Sequence, residues 1–215
     1  MNGKYRVNEI FYSLQGEGYW TGTPMVFIRL SGCNLQCPFC DTDHSAYCEM
    51  SAEEILAEVM RLDRQAPQEN PGWDSCGKVC ITGGEPLLQL DDALVTALHA
   101  AHYNIHIETN GTCPVPQMID WVTLSPKEDV PGLKGHGKVV LENANEVKLV
   151  FDGTLREERL EYWASFQATH HFLQPCDTGH PLRNQAILQA TIDYVKSHAL
   201  HWRLSLQTHK LLGIR

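Results

Sequence analysis

The run Met25-Val26-Phe27-Ile28-Arg29-Leu30-Ser31-Gly32-Cys33-Asn34-Leu35-Gln36-Cys37-Pro38-Phe39-Cys40-Asp41-Thr42 decides the fold. It opens on a largely apolar, partly β-branched stretch that Ser31-Gly32 ends, the mark of a buried strand. Cys33, Cys37 and Cys40 follow at once, in CxxxCxxC spacing. Cubane iron–sulfur clusters are held by cysteine thiolates, normally four of them. Three close cysteines with no evident fourth leave one iron open, as a catalytic metal centre requires and a structural one does not. A zinc site is the second reading, with His44 completing a Cys3His set. Zinc sites more often come as two CxxC-type pairs on separate loops, and no second pair is evident. Cys76 and Cys80 make only a CxxxC, and Cys80, inside Val79-Cys80-Ile81, reads as a small core hydrophobe. A disulfide is the third reading.

Working outward, the chain has 215 residues, 43% hydrophobic and 20% charged, which suits one ordinary domain with a real core and argues against disorder. The segment Met1-Asn2-Gly3-Lys4-Tyr5-Arg6 leads into no secretory-type apolar stretch, and no apolar run approaches the ~20 residues of a membrane helix. A cytoplasmic protein without a membrane partner is expected, and its cysteines read as metal-binding or reduced thiols. The net charge of −9 weighs against nucleic acid, whose phosphates need clustered Lys and Arg. Arg156-Glu157-Glu158-Arg159-Leu160-Glu161 reads as a solvated helix face.

Strand and helix signals alternate along the chain, with no repeat or linker. Strands are expected at Met25–Leu30, Val79–Thr82, Ile105–Glu108, Trp121–Leu124, Val147–Phe151, His171–Leu173 and Trp202–Leu206. The capping box Ser51-Ala52-Glu53-Glu54 opens a helix, Asp91-Asp92 a second, and further helices are expected over 156–166 and 182–198. Alternation implies α/β architecture with parallel strands and right-handed crossovers. A full eight-fold barrel takes roughly 250 residues, so about six or seven strands predict an incomplete, splayed barrel. Polar or glycine-rich clusters follow the strands at Cys33–Thr42, Thr82–Glu85, Glu108–Gly111, Ser125–Lys127, Gln174–Asp177 and Gln207–Lys210. Active sites of parallel sheets lie at the C-terminal strand ends, so these clusters predict one site on one rim.

Thr82-Gly83-Gly84-Glu85-Pro86 offers glycines that let the backbone approach a ligand and a carboxylate that can hold an ammonium. Taken alone, an ordinary turn is the better reading. Ser125-Pro126-Lys127 offers a hydroxyl and a cation, against the plain reading of a turn with a solvated lysine. With Phe39 before the third cysteine, the loop completes CxxxCxΦC. Together with Gly83-Gly84-Glu85-Pro86 it resembles the radical S-adenosylmethionine (SAM) superfamily, in which SAM chelates the open iron and the GGEP motif grips its amino group.

More specific are Leu14-Gln15-Gly16-Glu17-Gly18, Phe27-Ile28-Arg29-Leu30-Ser31-Gly32-Cys33, Cys40-Asp41-Thr42, Ile107-Glu108-Thr109-Asn110-Gly111 and Arg203-Leu204-Ser205-Leu206-Gln207-Thr208-His209-Lys210. Across nearly the whole chain these resemble the 7-carboxy-7-deazaguanine synthase family, the ring-contracting radical SAM enzymes of queuosine and deazapurine biosynthesis. The resemblance implies one partial radical SAM barrel over residues 1–215, with about six parallel strands and outer helices. It implies conversion of 6-carboxy-5,6,7,8-tetrahydropterin to 7-carboxy-7-deazaguanine with loss of ammonia, and a [4Fe-4S] cluster, SAM and Mg2+ as cofactors. It also implies an electron donor such as flavodoxin or ferredoxin, and a homodimer. Leu14, Gln15, Gly16, Arg29 and Thr82 match substrate positions. Phe39, Asp41, Gly84, Glu85, Ser125, Pro126, Lys127, Gln174, Pro175, Cys176 and Asp177 match SAM positions, and Thr42 matches the magnesium ligand.

The chemistry agrees: a guanidinium such as Arg29, inside an apolar strand, pairs with a carboxylate in a fork. Magnesium keeps waters and takes few protein ligands, so a lone Thr42 hydroxyl suffices where substrate completes the shell. Without the resemblance, Thr42 reads as a turn cap. The chain lacks a long insertion that some relatives carry between the first two cysteines, and residues 70–77, with Cys76, match no motif and read as a surface loop. The rival readings are a glycyl-radical-enzyme activase and a non-catalytic zinc adaptor. Cys33, Cys37 and Cys40 are expected to be essential for the cluster, and the other cysteines dispensable. Members of the resembling family can use the terminal carboxylate on substrate, so the carboxylate of Arg215 rather than its guanidinium is expected to face the site. Leu211, Leu212 and Ile214 are expected to pin the tail.

Overall fold

The computed structural model describes residues 3–43, 46–69 and 75–215. Its strands are β1 (Tyr5–Leu14), β2 (Pro24–Leu30), β3 (Cys48–Met50), β4 (Lys78–Gly83), β5 (Asn104–Thr109), β6 (Trp121–Leu124), β7 (Asn143–Phe151), β8 (Gln167–Pro175) and β9 (Arg203–Leu204). Its helices are α1 (Ala52–Glu69), α2 (Asp92–Ala100), α3 (Glu157–Ser165), α4 (Pro181–Ser197) and α5 (Thr208–Leu212), with a 3-10 turn at Pro86–Leu88. One open sheet carries the strands in the order β3-β1-β2-β4-β5-β6-β7-β8-β9. From β2 to β9 every pairing is parallel, which is the expected splayed partial barrel.

The N-terminal part departs from the sequence reading. β1 and β3 extend the sheet by antiparallel pairing, and neither was expected. The reason lies at Asn8, where the register with β2 jumps from Val7–Leu30 to Glu9–Arg29. Such a bulge gives one strand an extra residue and reverses which face each later side chain meets. Tyr5 and Val7 pack in the helix-covered core, whereas beyond the bulge Ile10 and Tyr12 do so and Phe11 turns to the opposite face. The alternation changes phase in mid-strand, so no single period of two runs through it. β7 and β8 also begin four residues before the sequence signals, and β9 is shorter.

Along β2, β4 and β5, Val26, Ile28, Leu30, Val79, Ile81, Ile105 and Ile107 bury one face beneath α1 and α2. Leu124, Val147, Leu149, Phe151 and Leu173 continue that core with Leu160 and Trp163 of α3 and Tyr194 and Val195 of α4. The expected capping box closes α1: Ser51 N–H donates to Glu54 Oε2 at 2.7 Å, and Glu54 N–H to Ser51 Oγ at 3.3 Å. Asp91 caps α2 through the backbone N–H groups of Ala93 and Leu94. Cys76, expected on a surface loop, is half-buried, and its N–H donates to Asp63 Oδ1 at 2.9 Å; residues 70–74 lie outside the described residues.

Alternate residues on the sheet's other face form the barrel interior. Toward the N-terminal strand ends it is filled by rings: Tyr19 stacks on His170 at 4.3 Å and on Trp121 at 5.1 Å, and Trp20 meets His106 edge-on at 5.0 Å. Burial, aided by Lys78, pushes His106 down to about 4, so it is uncharged at neutral pH. Among the described residues, Trp20 Nε1 and Trp121 Nε1 are buried and meet no hydrogen-bond partner. This ring layer closes the floor and leaves the opposite end open. No helix of the described residues is long and apolar enough to cross a membrane.

Candidate active site

The polar clusters that follow the parallel strands converge on a cavity of about 490 Å³, within the size range of small-molecule sites. Its wall includes Cys33, Cys37, Phe39, Cys40, Asp41 and Thr42 from the loop after β2, and Thr82, Gly83 and Gly84 from the end of β4. Ser125 and Lys127 follow from β6, and Gln174, Pro175, Cys176 and Asp177 from β8. Leu14, Gln15, Gly16, Arg29 and Arg215 complete the set of sequence-predicted residues on it. A recess of about 570 Å³ adjoins it, shares Phe39, Cys40, Asp41, Cys176 and Asp177, and contains Pro126.

The cysteine loop is seated by close backbone contact. Gly84 N–H donates to Leu30 O at 3.0 Å and Glu85 N–H to Gly32 O at 2.9 Å. A Cβ on Gly84 would lie 2.0 Å from Gly32 O and 2.9 Å from the Cβ of Cys33, so only glycine fits. Cys33, Cys37 and Cys40 are free thiols. Burial pushes Cys33 and Cys37 up, and Lys127 opposes this at Cys37, so metal loading must release protons. Lys127 Nζ donates to Ser125 O at 2.7 Å and Ser125 Oγ at 2.6 Å. Among the described residues no three His, Cys, Asp or Glu side chains close on a single ion. Thiolates that each anchor a different iron have no need to do so, and the chemistry of three thiols on one cavity-lining loop fits a cubane. His44, the fourth ligand of the zinc reading, lies outside the described residues. Cys176 also faces the cavity, from the β8 wall, where its thiol donates to Asp177 O at 3.8 Å.

Glu85, in the motif expected to hold SAM, lies behind the cavity wall rather than on it. It is fully buried and absent from the cavity lining. Its carboxylate accepts from Thr109 Oγ1 at 2.7 Å, Asn110 N–H at 2.7 Å and Leu87 N–H at 3.0 Å. It braces the β4 turn against the end of β5, and burial raises its pKa despite those donors.

Next to the cysteine loop is a buried charge network that joins Glu17 and Glu108, both in motifs quoted above, to Lys148, which the sequence reading did not single out. Lys148, in the middle of β7, is paired with Glu17 and lies 3.4 Å from Glu108 Oε1. Gln15 Nε2 donates to Glu108 Oε1 at 3.0 Å, and Gln207 Nε2 to Glu17 Oε1 at 3.0 Å. Burial pushes Glu17 up, but the Lys148 ammonium pulls harder and brings it down to about 2. Burial opposes the charge on Lys148, yet Glu108 and Glu17 raise its pKa. The signal was present: Glu146 and Lys148 stand at alternate positions around the apolar Val147, Leu149, Val150 and Phe151, where inward-facing charges need a reason.

The segment after β9 folds over this network. Thr208 N–H and Oγ1 donate to Gly16 O at 2.9 and 2.8 Å, and Gly18 N–H donates to Ser205 Oγ at 3.0 Å. A Cβ on Gly16 would strike His209 at 2.2 Å. Lys210 clasps Asp41 at 3.1 Å and Asp177 at 2.9 Å, tying the cysteine loop to the end of β8. Leu211 and Leu212 are 74% and 64% exposed, so apolar burial does not pin the tail as expected. Polar contacts hold it: Ser13 Oγ donates to Arg215 O at 2.6 Å, and the Arg215 guanidinium lies 3.3 Å from Glu9 Oε2. Glu9 Oε1 also accepts from Arg29 Nε at 2.9 Å.

An open α/β sheet with three thiols on the loop after its first parallel strand, a glycine turn against that loop and a cavity at the C-terminal strand ends defines the radical SAM class. Residues 27–123 match the model of the Radical SAM superfamily, whose members carry a [4Fe-4S] cluster and SAM. The chain is 48% identical over 210 residues to the 7-carboxy-7-deazaguanine synthase of Bacteroides thetaiotaomicron, covering 98% of each chain. It is 41% identical to that of Bordetella pertussis, over 98% of this chain and 99% of the relative. The crystal structure of QueE from Escherichia coli superposes with a TM-score of 0.72 at 29% identity, covering 94% of this chain and 93% of that one. The chain belongs to the 7-carboxy-7-deazaguanine synthase family, and it is a radical SAM enzyme.

Proposed function

We propose that the chain, as one domain, converts 6-carboxy-5,6,7,8-tetrahydropterin to 7-carboxy-7-deazaguanine with release of ammonia. The observation that carries this reading is the docking of Leu14–Gly18 and Gln207–Lys210 onto each other beside the cysteine cavity, which lines one site with both family motifs. Cys33, Cys37 and Cys40 would hold the cluster. Bound there, cluster and SAM supply hydrogen-atom abstraction from a carbon that no acid or base could activate.

The protein's own part is binding, orientation and exclusion of water. Gly84, Ser125, Lys127 and Gln174–Asp177 line the SAM side together with Phe39 and Asp41, and Pro126 lines the recess beyond. Arg29 engages Glu9 through Nε, and its terminal nitrogens suit the pterin carboxylate. The backbone of Leu14 and Gly16, with Gln15 and Thr82, offers donors and acceptors to the amide-like pterin edge, and Arg215 O lies on the same side. Thr42 is the magnesium ligand in this reading, with water and substrate oxygens completing the shell. A one-electron carrier protein is the required partner, and the homodimer is tested by sedimentation.

The test is anaerobic turnover of the purified chain with the carboxypterin, SAM and reductant, the product being identified by mass. Turnover by this chain alone also excludes an activase, which needs a partner protein as substrate. Iron content in Cys33→Ala, Cys37→Ala and Cys40→Ala should collapse, while Cys80→Ala and Cys176→Ala keep theirs. The reverse pattern would refute the ligand set.

A further inference from the structure

Two cross-strand pairs stand side by side on the interior face of the sheet, where β1 meets β2. Glu9 lies directly opposite Arg29, and Phe11 opposite Phe27. All four side chains belong to residues that line the cavity. Glu9 Oε1 accepts from Arg29 Nε at 2.9 Å, and Glu9 Oε2 lies 3.3 Å from Arg215 Nη1. The Phe11 ring stacks on Phe27 at 5.1 Å, and the Arg29 guanidinium carbon stands over it at 5.7 Å. The guanidinium is thus held twice, by a carboxylate at its Nε edge and by a ring on its face.

A guanidinium offers a carboxylate two forks, the side-on pair of Nε with one Nη and the end-on pair of Nη1 with Nη2. Glu9 takes Nε, so the end-on pair is the fork that remains for a ligand. Glu9 therefore acts on an anionic ligand in two opposed ways. Its charge repels the ligand, and its hydrogen bond holds the fork that receives it. Arg215 offsets the first effect: two guanidinium side chains against one carboxylate side chain leave the group positive.

We propose that Glu9 sets the selectivity of this site for a substrate that bears a carboxylate. It is a positioning residue that acts through Arg29, occupying the Nε edge and presenting Nη1 and Nη2 to the cavity. The inference rests on the reading of Arg29 as the partner of the pterin carboxylate. It differs from simple charge matching in sign. Were Glu9 only a charge, its removal would strengthen the binding of an anion. As an orienting group, its removal weakens that binding, because a loose arginine must be ordered again when the ligand arrives.

The test is an anaerobic binding titration of the cluster- and SAM-loaded enzyme, without reductant. The two ligands are 6-carboxy-5,6,7,8-tetrahydropterin and 6-methyl-5,6,7,8-tetrahydropterin, which lacks the carboxylate. Glu9→Ala should weaken the carboxypterin by about tenfold and leave the methylpterin within about twofold of the parent. Glu9→Gln, whose amide oxygen still accepts from Arg29 Nε, should hold the carboxypterin within about threefold. In turnover, Glu9→Ala should raise KM with kcat little changed. Glu49→Gln removes a carboxylate from β3, away from the cavity, and should alter neither titration. If Glu9→Ala binds the carboxypterin as tightly as the parent or more tightly, Glu9 does not orient Arg29 and the proposal falls. Equal losses for both pterins would make Glu9 a support of the whole site, and a Glu9→Gln as weak as Glu9→Ala would show that the acceptor does not do the orienting; either result overturns it. A parent that binds the two pterins alike would refute the reading of Arg29 itself, and the inference with it, whereas failure in the variants alone leaves that reading standing.

Discussion

A methyl group placed on Gly84 meets the carbonyl of Gly32 and the β-carbon of Cys33, so the cysteine loop has to move to admit it. Gly84→Ala should therefore lower the iron retained after anaerobic desalting by at least half, while circular dichroism stays close to the parent. Full iron retention would mean that the contact is slack. Lys148 makes a second test at this scale. Removing one member of a buried charge pair strands the other, at a cost of about 3–5 kcal/mol. Lys148→Met should cost about that much in urea unfolding, and adding Glu17→Gln should restore part of it. Additive losses would show that the two groups are not coupled. The pair also fixes an acid limb. Glu17 titrates lower folded than unfolded, so its stabilisation is present above its ordinary value near 4.5 and is lost as pH falls toward about 2. Between those values Glu17→Gln should lose less stability than the parent, in urea midpoints measured against pH. Residues with a motif around them, such as Cys33, Arg29 and Gly84, were legible in the sequence. Lys148 was not singled out, because its meaning lies in a pairing between β7, β5 and the loop after β1 that only the sheet brings together.

Among the elements, β2 and each strand from β4 to β8 were announced by an apolar run stopped by Gly, Pro or Asn, and the capping residues of α1 and α2 were visible in the chain. β1 was not, because the bulge at Asn8 shifts its alternation from one face to the other. The same geometry makes a prediction. Deleting Asn8 would leave one regular alternation along the strand, with Tyr5, Val7, Ile10 and Tyr12 all still facing the helix-covered core. Only the hydrogen bonds from Asn8 Nδ2 to Asp43 O and Ala46 O are lost, so the variant should stay soluble and melt within about 10 °C of the parent. An insoluble variant, or one that melts far lower, would show that the extra residue itself is needed for the pairing with β2. Glu85 teaches the complementary lesson. Its motif was legible, but its placement depends on donors from β5 and from the 3-10 turn, which no spacing rule reveals.

For the whole molecule, the parallel alternation, the splayed barrel and the single rim of polar clusters followed from the order of sequence signals, because parallel strands put all their C-terminal loops at one end. What the order could not give is how the rim closes. The strand-end segments are joined by polar clasps, Thr208 to Gly16, Lys210 to Asp41 and Asp177, and Ser13 to Arg215, rather than by the apolar tail. The result is a cavity with three thiols on one side, a buried Glu–Lys network beside them and a floor of aromatic rings. That arrangement suits a reaction in which a hydrogen atom is removed and later returned within a dry site. Substrate and products are then related by rearrangement and loss of ammonia without net redox change, so SAM is regenerated at each turnover. The deciding measurement is the ratio of ammonia released and 7-carboxy-7-deazaguanine formed to SAM consumed, in one anaerobic incubation of the reduced enzyme with the carboxypterin. The account predicts equal amounts of ammonia and deazaguanine, both in many-fold excess over SAM lost. One SAM consumed for each product, or SAM cleavage with neither product formed, would contradict it.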